Sequence, residues 1–172
     1  MEKGPKIRDD KTNFRVGLGV DVHAFAAPEV GKKLILGGVE IPSDRGLMGH
    51  SDADVLAHVV TDALLGAAGL EDIGHYFPDT DAEWKDADSI GLLREARRIV
   101  GDLWEVANVD AVVVCERPKI RDHREAMREN LAGALGVDSS RVSVRGTTTE
   151  RLGFAGRGEG IAAQAVCLLQ GT

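Results

Sequence analysis

Two short stretches concentrate side chains able to hold a divalent cation. In "GLGVDVHAF", residues 17–25, Asp21 and His23 stand two apart, and in "GHSDADVLAH" His50 and His58 bracket two further carboxylates. The chain has only five histidines, so three of them sit close to aspartates in these segments. Two histidines and one carboxylate are a sufficient ligand set for zinc or another divalent ion with a position left open. Either segment alone is commonplace, since a D-x-H occurs by chance and a helical histidine is usually surface or satisfied core. Their combination is what points to a metal. Asp62, one turn after His58, is placed to accept a hydrogen bond from its imidazole.

A third segment, "TTTERLGFAGRGEG", joins consecutive threonine hydroxyls to four glycines within eight residues. Such a stretch suits close backbone approach to phosphate oxygens. Glu150 adds a hard oxygen of the kind Mg²⁺ or Mn²⁺ prefers. The plainer reading is a glycine-rich turn in which Arg157 and Glu159 form a surface ion pair. No G-K-[ST] follows, and there is no G-x-S-x-G, no C-x-x-C and no G-x-G-x-x-G in a βαβ setting. The candidate site therefore has metal and phosphate donors but no evident side-chain nucleophile.

These residues need elements to position them. From Phe14 to His23 the chain alternates, with Phe14, Val16, Leu18, Val20 and Val22 on one side. Arg15, Gly17, Gly19, Asp21 and His23 take the other, which predicts a half-buried strand with Asp21 and His23 on one face. "KLILGGVEIP" predicts a hairpin about Gly37-Gly38. The spacing predicts a helix over 51–68, with Asp54, His58 and Asp62 sharing a face at i, i+4 and i+8. A second helix follows an Asp88 or Ser89 cap through "IGLLREARRIV". "ANVDAVVVCE" is a buried strand, "KIRDHREAMRENLAGALG" an amphipathic helix stopped at Gly136, and "RVSVRGTTT" a strand entering a turn. "GEGIAAQAVCLLQ" is a strand apolar on both faces. The whole is an α/β (α+β) two-layer sandwich with helices on one face of a mixed sheet. No helix remains to cover the other face, so the sheets of an oligomer are expected to pack together.

The 172 residues suit one domain over 14–172, after a polar tail at 1–13. A net charge of −7, without a basic stripe, argues against a nucleic-acid binder. No apolar run approaches a membrane span and no signal core opens the chain, so a cytoplasmic protein is expected, with Cys115 and Cys167 reduced in its core.

With "DVHAF", "GHSDADVLAHVVTDALLGAAGLEDIGHYFPDTD", "DADS", "ERPKI" and "TTTERLGFAGRGEGIA" in order, the chain from about Arg15 onward resembles the 2-C-methyl-D-erythritol 2,4-cyclodiphosphate synthase family. The resemblance implies a lyase of non-mevalonate isoprenoid synthesis. Its substrate would be 4-diphosphocytidyl-2-C-methyl-D-erythritol 2-phosphate, and its products the cyclic diphosphate and CMP. The absent nucleophile then has a reason, because the substrate's own 2-phosphate attacks its β-phosphate.

By the same resemblance, Asp21, His23 and His58 hold Zn²⁺, and Glu150 holds a second ion, Mg²⁺ or Mn²⁺. His50 and Thr148 stabilise the transition state, with Val22 and Ser51 beside the substrate. Asp72, Ile73 and Gly74 meet ribose and substrate. Phe77, Pro78, Asp79, Thr80 and Asp81 hold the methylerythritol. The stretch Cys115, Glu116, Arg117, Pro118, Lys119, Ile120 and Arg121 forms the cytidine pocket together with Thr147, Thr148 and Thr149. Family members are homotrimers with active sites between subunits. Phe154, Arg157 and Glu159 match a central cavity able to hold an isoprenoid diphosphate, with Phe154 and Arg157 also near substrate.

Departures from the family pattern are few. Leu18 and Val20 are unusual but are expected to face away from the metal. His75 stands where lysine is frequent, and "KIRDH" lacks a usual proline. These bear on substrate-loop closure and cytosine contacts. No cytidylyltransferase segment precedes the domain, so the fused bifunctional form is not expected. Two other readings use the same residues: a metal-dependent phosphohydrolase, and a non-catalytic trimer that binds isoprenoid diphosphates.

Overall fold

The computed structural model describes residues 13–49, 51–78, 80 and 87–172. Strand β1 (Phe14–Ala24) leads through a short 3₁₀ turn to the hairpin β2 (Leu34–Leu36) and β3 (Val39–Ile41). Helices α1 (Val55–Ala68), α2 (Ile73–Tyr76) and α3 (Ser89–Val100) follow, then strand β4 (Trp104–Val114). Helix α4 (Arg124–Leu135), β5 (Val142–Thr147), the short α5 (Gly153–Gly156) and β6 (Gly160–Gly171) complete the chain. The main sheet is mixed, in the order β1-β6-β4-β5, with β4 and β5 parallel and the other pairs antiparallel. This is the mixed α/β class expected from the alternation of elements.

One face of the sheet packs on α1, while α3 and α4 pack outside and beside it over an aliphatic core that includes Leu56, Leu64, Leu93, Leu131 and Leu169. The alternation in β1 is correct in phase, but its apolar side faces outward. Phe14, Val16, Leu18, Val20 and Val22 are 50–67% exposed, whereas Gly17 and Gly19 are buried against the helix. The reason is close approach: a Cβ on Gly17 or Gly19 would sit 2.0 Å from the carbonyl oxygens of Ala63 and Val59 respectively. Without side chains at these two positions, α1 rests directly on the backbone of β1. Strand β6 is likewise open on one side, with Gln164 and Val166 exposed.

Helix α1 starts at Val55 rather than Ser51, because Asp54 is its N-cap and accepts from the N–H groups of Leu56 and Ala57. The same carboxylate accepts from Gly37 and Gly38 at 2.9 and 2.7 Å, tying the β2–β3 turn to the helix end. Asp54 therefore does not share a solvent face with His58 and Asp62; it is wholly buried. Burial pushes its pKa up, against the lowering effect of the N–H groups of Ala57, Gly38 and Gly37. Asp88, not Ser89, caps α3. Helix α4 begins at Arg124 after a 3₁₀ turn over Arg121–His123, later than the apolar pattern predicts, and stops at Gly136 in the left-handed region.

Candidate active site

The helix-facing side of β1 carries Asp21 and His23 to its end, and the first turn of α1 brings His58 over them. His23 Nε2 lies 2.8 Å from Asp21 Oδ2, and His58 Nδ1 lies 3.2 Å from both of those atoms. The three ligand atoms fall within 4.8 Å of one another, which makes this trio able to hold a metal ion. His23 Nδ1 faces the carbonyl oxygen of Met48 at 2.5 Å; a carbonyl only accepts, so this nitrogen carries a proton. The outer hydrogen bond thus directs Nε2 inward, as in metal-binding histidines generally.

The charge pattern agrees. Burial pushes the Asp21 pKa up, but hydrogen bonds with His23 and His58 outweigh it and hold the carboxyl far below the usual range. Burial pushes His23 down, yet Asp21 and the Met48 carbonyl carry the balance upward. Two imidazole nitrogens and a carboxylate oxygen converging on one point are a borderline-soft donor set suited to Zn²⁺.

The other nitrogen of His58 does not meet Asp62. Nε2 lies 3.1 Å from Ser89 Oγ and 3.3 Å from Ser51 Oγ, and Ser89 Oγ in turn donates to Asp52 Oδ1. Asp62 Oδ1 accepts instead from the Ile73 N–H at 2.8 Å and so anchors α2. Sequence reasoning missed the contacts of Ser89 and Asp52: Ser89 lies in the "DADS" stretch and read as a helix cap, and Asp52 lies in "GHSDADVLAH" and read only as one of its carboxylates.

At the far edge of the sheet, Cys115, Pro118, Lys119, Ile120, Arg121, Thr147 and Thr148 line a cavity of about 260 Å³ with Arg124 and Gly146. These last two were not anticipated. Glu116 stands beside the cavity and holds the threonine turn, accepting from the N–H groups of Thr149 and Arg151 at 3.1 and 3.0 Å. The Arg151 N–H leads the set of hydrogen bonds that lowers its pKa. Thr148 Oγ1 donates to Glu150 Oε1 at 2.6 Å, and Glu150 and Arg151 both adopt left-handed φ, 53° and 66°. Strained backbone of this kind clusters at ligand-binding turns. Arg157 and Glu159 form a two-armed ion pair at 2.7 and 3.0 Å, beside a partly exposed Phe154.

Strand register relates the two regions. Val22, Ala162, Val114 and Thr147 lie in one row across the sheet. Three interstrand steps separate the metal trio's strand from the threonine turn, roughly 14 Å. Asp72 caps α2 and accepts from the His75 N–H at 3.0 Å. Gly74 and Thr80 are exposed and Phe77 is buried. His50, Asp79 and Asp81 lie outside the described residues.

A model of the YgbB family matches residues 14–170. The chain is 82% identical over 157 residues to the curated 2-C-methyl-D-erythritol 2,4-cyclodiphosphate synthase of Rubrobacter xylanophilus, covering 91% of this chain and 95% of the relative. It is 58% identical over 159 residues to the synthase of Neisseria gonorrhoeae, with 92% and 98% covered. Among solved structures, the bifunctional IspDF of Campylobacter jejuni is similar with a TM-score of 0.87 and 45% identity, over 92% of this chain but 42% of that longer one. The IspF of Plasmodium falciparum, solved as a CDP complex, is similar with a TM-score of 0.81 and 34% identity, over 95% and 99%.

Proposed function

This chain belongs to the YgbB family, and from that membership we propose that it converts 4-diphosphocytidyl-2-C-methyl-D-erythritol 2-phosphate to 2-C-methyl-D-erythritol 2,4-cyclodiphosphate and CMP. It is an enzyme, a phosphorus–oxygen lyase of non-mevalonate isoprenoid precursor synthesis. A bond forms between a 2-phosphate oxygen and the β-phosphorus while the bond from that phosphorus to the CMP oxygen breaks. The nucleophile is already largely dianionic near neutral pH, with a second pKa of about 6. What the protein supplies is orientation and neutralisation, and positioning of this kind is worth roughly 7–11 kcal/mol.

The convergence of Asp21, His23 and His58 carries this reading. These residues would hold Zn²⁺, and Glu150 would hold Mg²⁺ or Mn²⁺. When bound, such ions offset phosphate charge and polarise the phosphoryl oxygens. His50 and Thr148 stabilise the transition state, where phosphoryl oxygens gain charge. Ser51 and the Val22 backbone border the reacting phosphates, and Asp72, Ile73 and Gly74 meet ribose. Phe77 to Asp81 hold the methylerythritol. The cavity from Cys115 to Arg121, closed by Thr147–Thr149, receives cytidine, with Lys119, Arg121 and Arg124 bringing positive charge to its rim.

The working form is a homotrimer whose active sites lie between subunits. The exposed apolar row of β1 supports this, as does the separation of the metal trio from the cytidine cavity within one chain. Phe154, Arg157 and Glu159 line a central cavity that takes an isoprenoid diphosphate. The catalytic unit runs from residue 14 to 172 as one domain and works in the cytoplasm. Among the described residues no helix is long and apolar enough to cross a membrane.

The test is ³¹P NMR of the protein with substrate, Zn²⁺ and Mg²⁺. Two coupled resonances of a cyclic diphosphate with stoichiometric CMP are expected. Inorganic phosphate or a linear diphosphate would mean hydrolysis and overturn the assignment.

A further inference from the structure

We propose that Ser89 and Asp52 are positioning residues that lock the His58 proton on Nε2, leaving Nδ1 open toward the metal. The inference rests on the reading of Asp21, His23 and His58 as a metal site. His58 Nδ1 is the nitrogen that faces Asp21 and His23, at 3.2 Å from each. It coordinates only when it carries no proton, so the proton must reside on Nε2. His23 solves the same problem with a backbone carbonyl, that of Met48. Among the described residues, His58 Nε2 meets two serine hydroxyls and no carbonyl.

A hydroxyl can donate or accept, so alone it does not fix a tautomer. The group behind it decides. Ser89 Oγ contacts Asp52 Oδ1, and a carboxylate only accepts, so the Ser89 O–H points to Asp52. The lone pairs of Ser89 Oγ are left facing His58 and receive the Nε2–H. Asp52 is itself held by backbone: Oδ2 accepts from the Ser89 N–H at 3.1 Å, and Oδ1 from the Asp54 N–H at 3.2 Å. Between the two aspartates Ala53 adopts a left-handed φ of 57°, which turns Asp52 toward α3 and Asp54 toward α1.

Helix capping does not explain the serine. Asp88 caps α3 by accepting from the Ile90 N–H, and Ser89 sits 1% exposed with its hydroxyl directed away from the cap. Ser51 Oγ is the more distant hydroxyl, at 3.3 Å; it accepts from the Ala53 N–H and lies 3.5 Å from Ser89 Oγ, to which it donates because the Ser89 proton is directed to Asp52.

The experiment is Zn²⁺ titration against a chromophoric chelator, using the full chain, Ser89→Ala, Asp52→Asn and the double variant. Ser89→Ala leaves Nε2 without its oriented acceptor, and affinity should fall about 10- to 100-fold. Asp52→Asn sets an amide N–H₂ against either the Ser89 hydroxyl or the Ser89 N–H, so the group that orients Ser89 is no longer held on both sides and a loss in the same range is expected. Since both act through one chain of hydrogen bonds, the double variant should bind no more weakly than the worse single one. In ¹⁵N-histidine spectra of the zinc-loaded parent, the His58 Nε2–H should resist exchange with water, and that protection should vanish in Ser89→Ala. A merely structural serine would lower the unfolding midpoint of the metal-free protein without these changes. Parent-like affinity in Ser89→Ala, or losses that add, would overturn the relay. Failure of the parent itself to bind Zn²⁺ would overturn the metal reading, and the relay with it.

Discussion

A methyl group on the Cα of Gly19 would lie 2.0 Å from the carbonyl oxygen of Val59, one residue past His58. The contact sets the distance between the strand that carries Asp21 and His23 and the helix that carries His58. Gly19→Ala must push α1 away from β1, and overpacking of this kind costs about 1–3 kcal/mol. The expected outcome is a lower urea midpoint together with weakened Zn²⁺ binding, because the trio widens with the gap. Lost stability with full metal affinity would mean that the site does not depend on this contact.

Asp54 links two elements through one carboxylate. It accepts from Leu56 and Ala57 at the start of α1 and from Gly37 and Gly38 in the hairpin turn. Asp54→Ala removes a cap and leaves buried N–H groups unpaired, at an expected cost of about 2–4 kcal/mol by chemical denaturation. Asp54→Asn keeps one accepting oxygen and should cost less. Equal effects would mean that only the helix cap matters.

The pairing of Asp21 with His23 was legible in the two-residue period of the strand, whereas the choice of His58 rather than His50 as their companion came from the family resemblance. The burial direction of β1 was not legible. Its apolar residues look like core, but the glycines opposite them admit a helix, and only the helix position decides which face is inside. Asp62 and Ser89 were misread for a related reason. Asp62 meets the Ile73 N–H through the placement of α2, and Ser89 meets His58 through the packing of α1 on α3. Neither spacing is encoded along a single element. The stretch from Cys115 to Arg121 was legible as a motif and does line a cavity, while the use of Glu116 to hold the threonine turn was not legible.

The exposed row of β1 supplies a test of assembly. Leu18 and Val20 are 62% and 54% exposed in the single chain, adjacent on the side of the strand away from α1. A contiguous apolar face of this kind marks an interface. Val20→Asp should convert a trimer to monomers in analytical ultracentrifugation, with little change in the fold of each chain by circular dichroism. A parent protein that sediments as a monomer would remove the intersubunit site.

Cys167 supplies a pH dependence. Burial pushes its thiol from 9.0 up to about 12, against a small opposing influence of Arg97. Between these values the unfolded chain loses the proton and the folded chain keeps it, so stability falls as pH rises from about 9 and levels off near 12. The slope contributed by this one group cannot exceed about 1.4 kcal/mol per pH unit. Cys167→Ala should therefore flatten the alkaline fall relative to the parent in denaturation curves at matched protein concentration. The native thiol should also resist alkylation at pH 8 and react on unfolding.

Metal binding should stabilise the fold because the trio exists only when β1 and α1 are packed together. Its three residues come from a strand and from a helix whose start is fixed by Asp54, so the unfolded chain has no comparable arrangement. At free Zn²⁺ a hundred times its dissociation constant, a ligand bound only by the folded form adds about 2.7 kcal/mol. Thermal scans should show a higher Tm with Zn²⁺, reversed by a chelator, at fixed protein concentration. His23→Ala should abolish this shift and also lower the metal-free Tm, because the side chain is only 14% exposed and holds hydrogen bonds to Asp21 and to the Met48 carbonyl. A zinc-dependent shift that survives His23→Ala would place the stabilising ion elsewhere, and Asp21 and His58 would then have to be reread as a structural hydrogen-bonded pair.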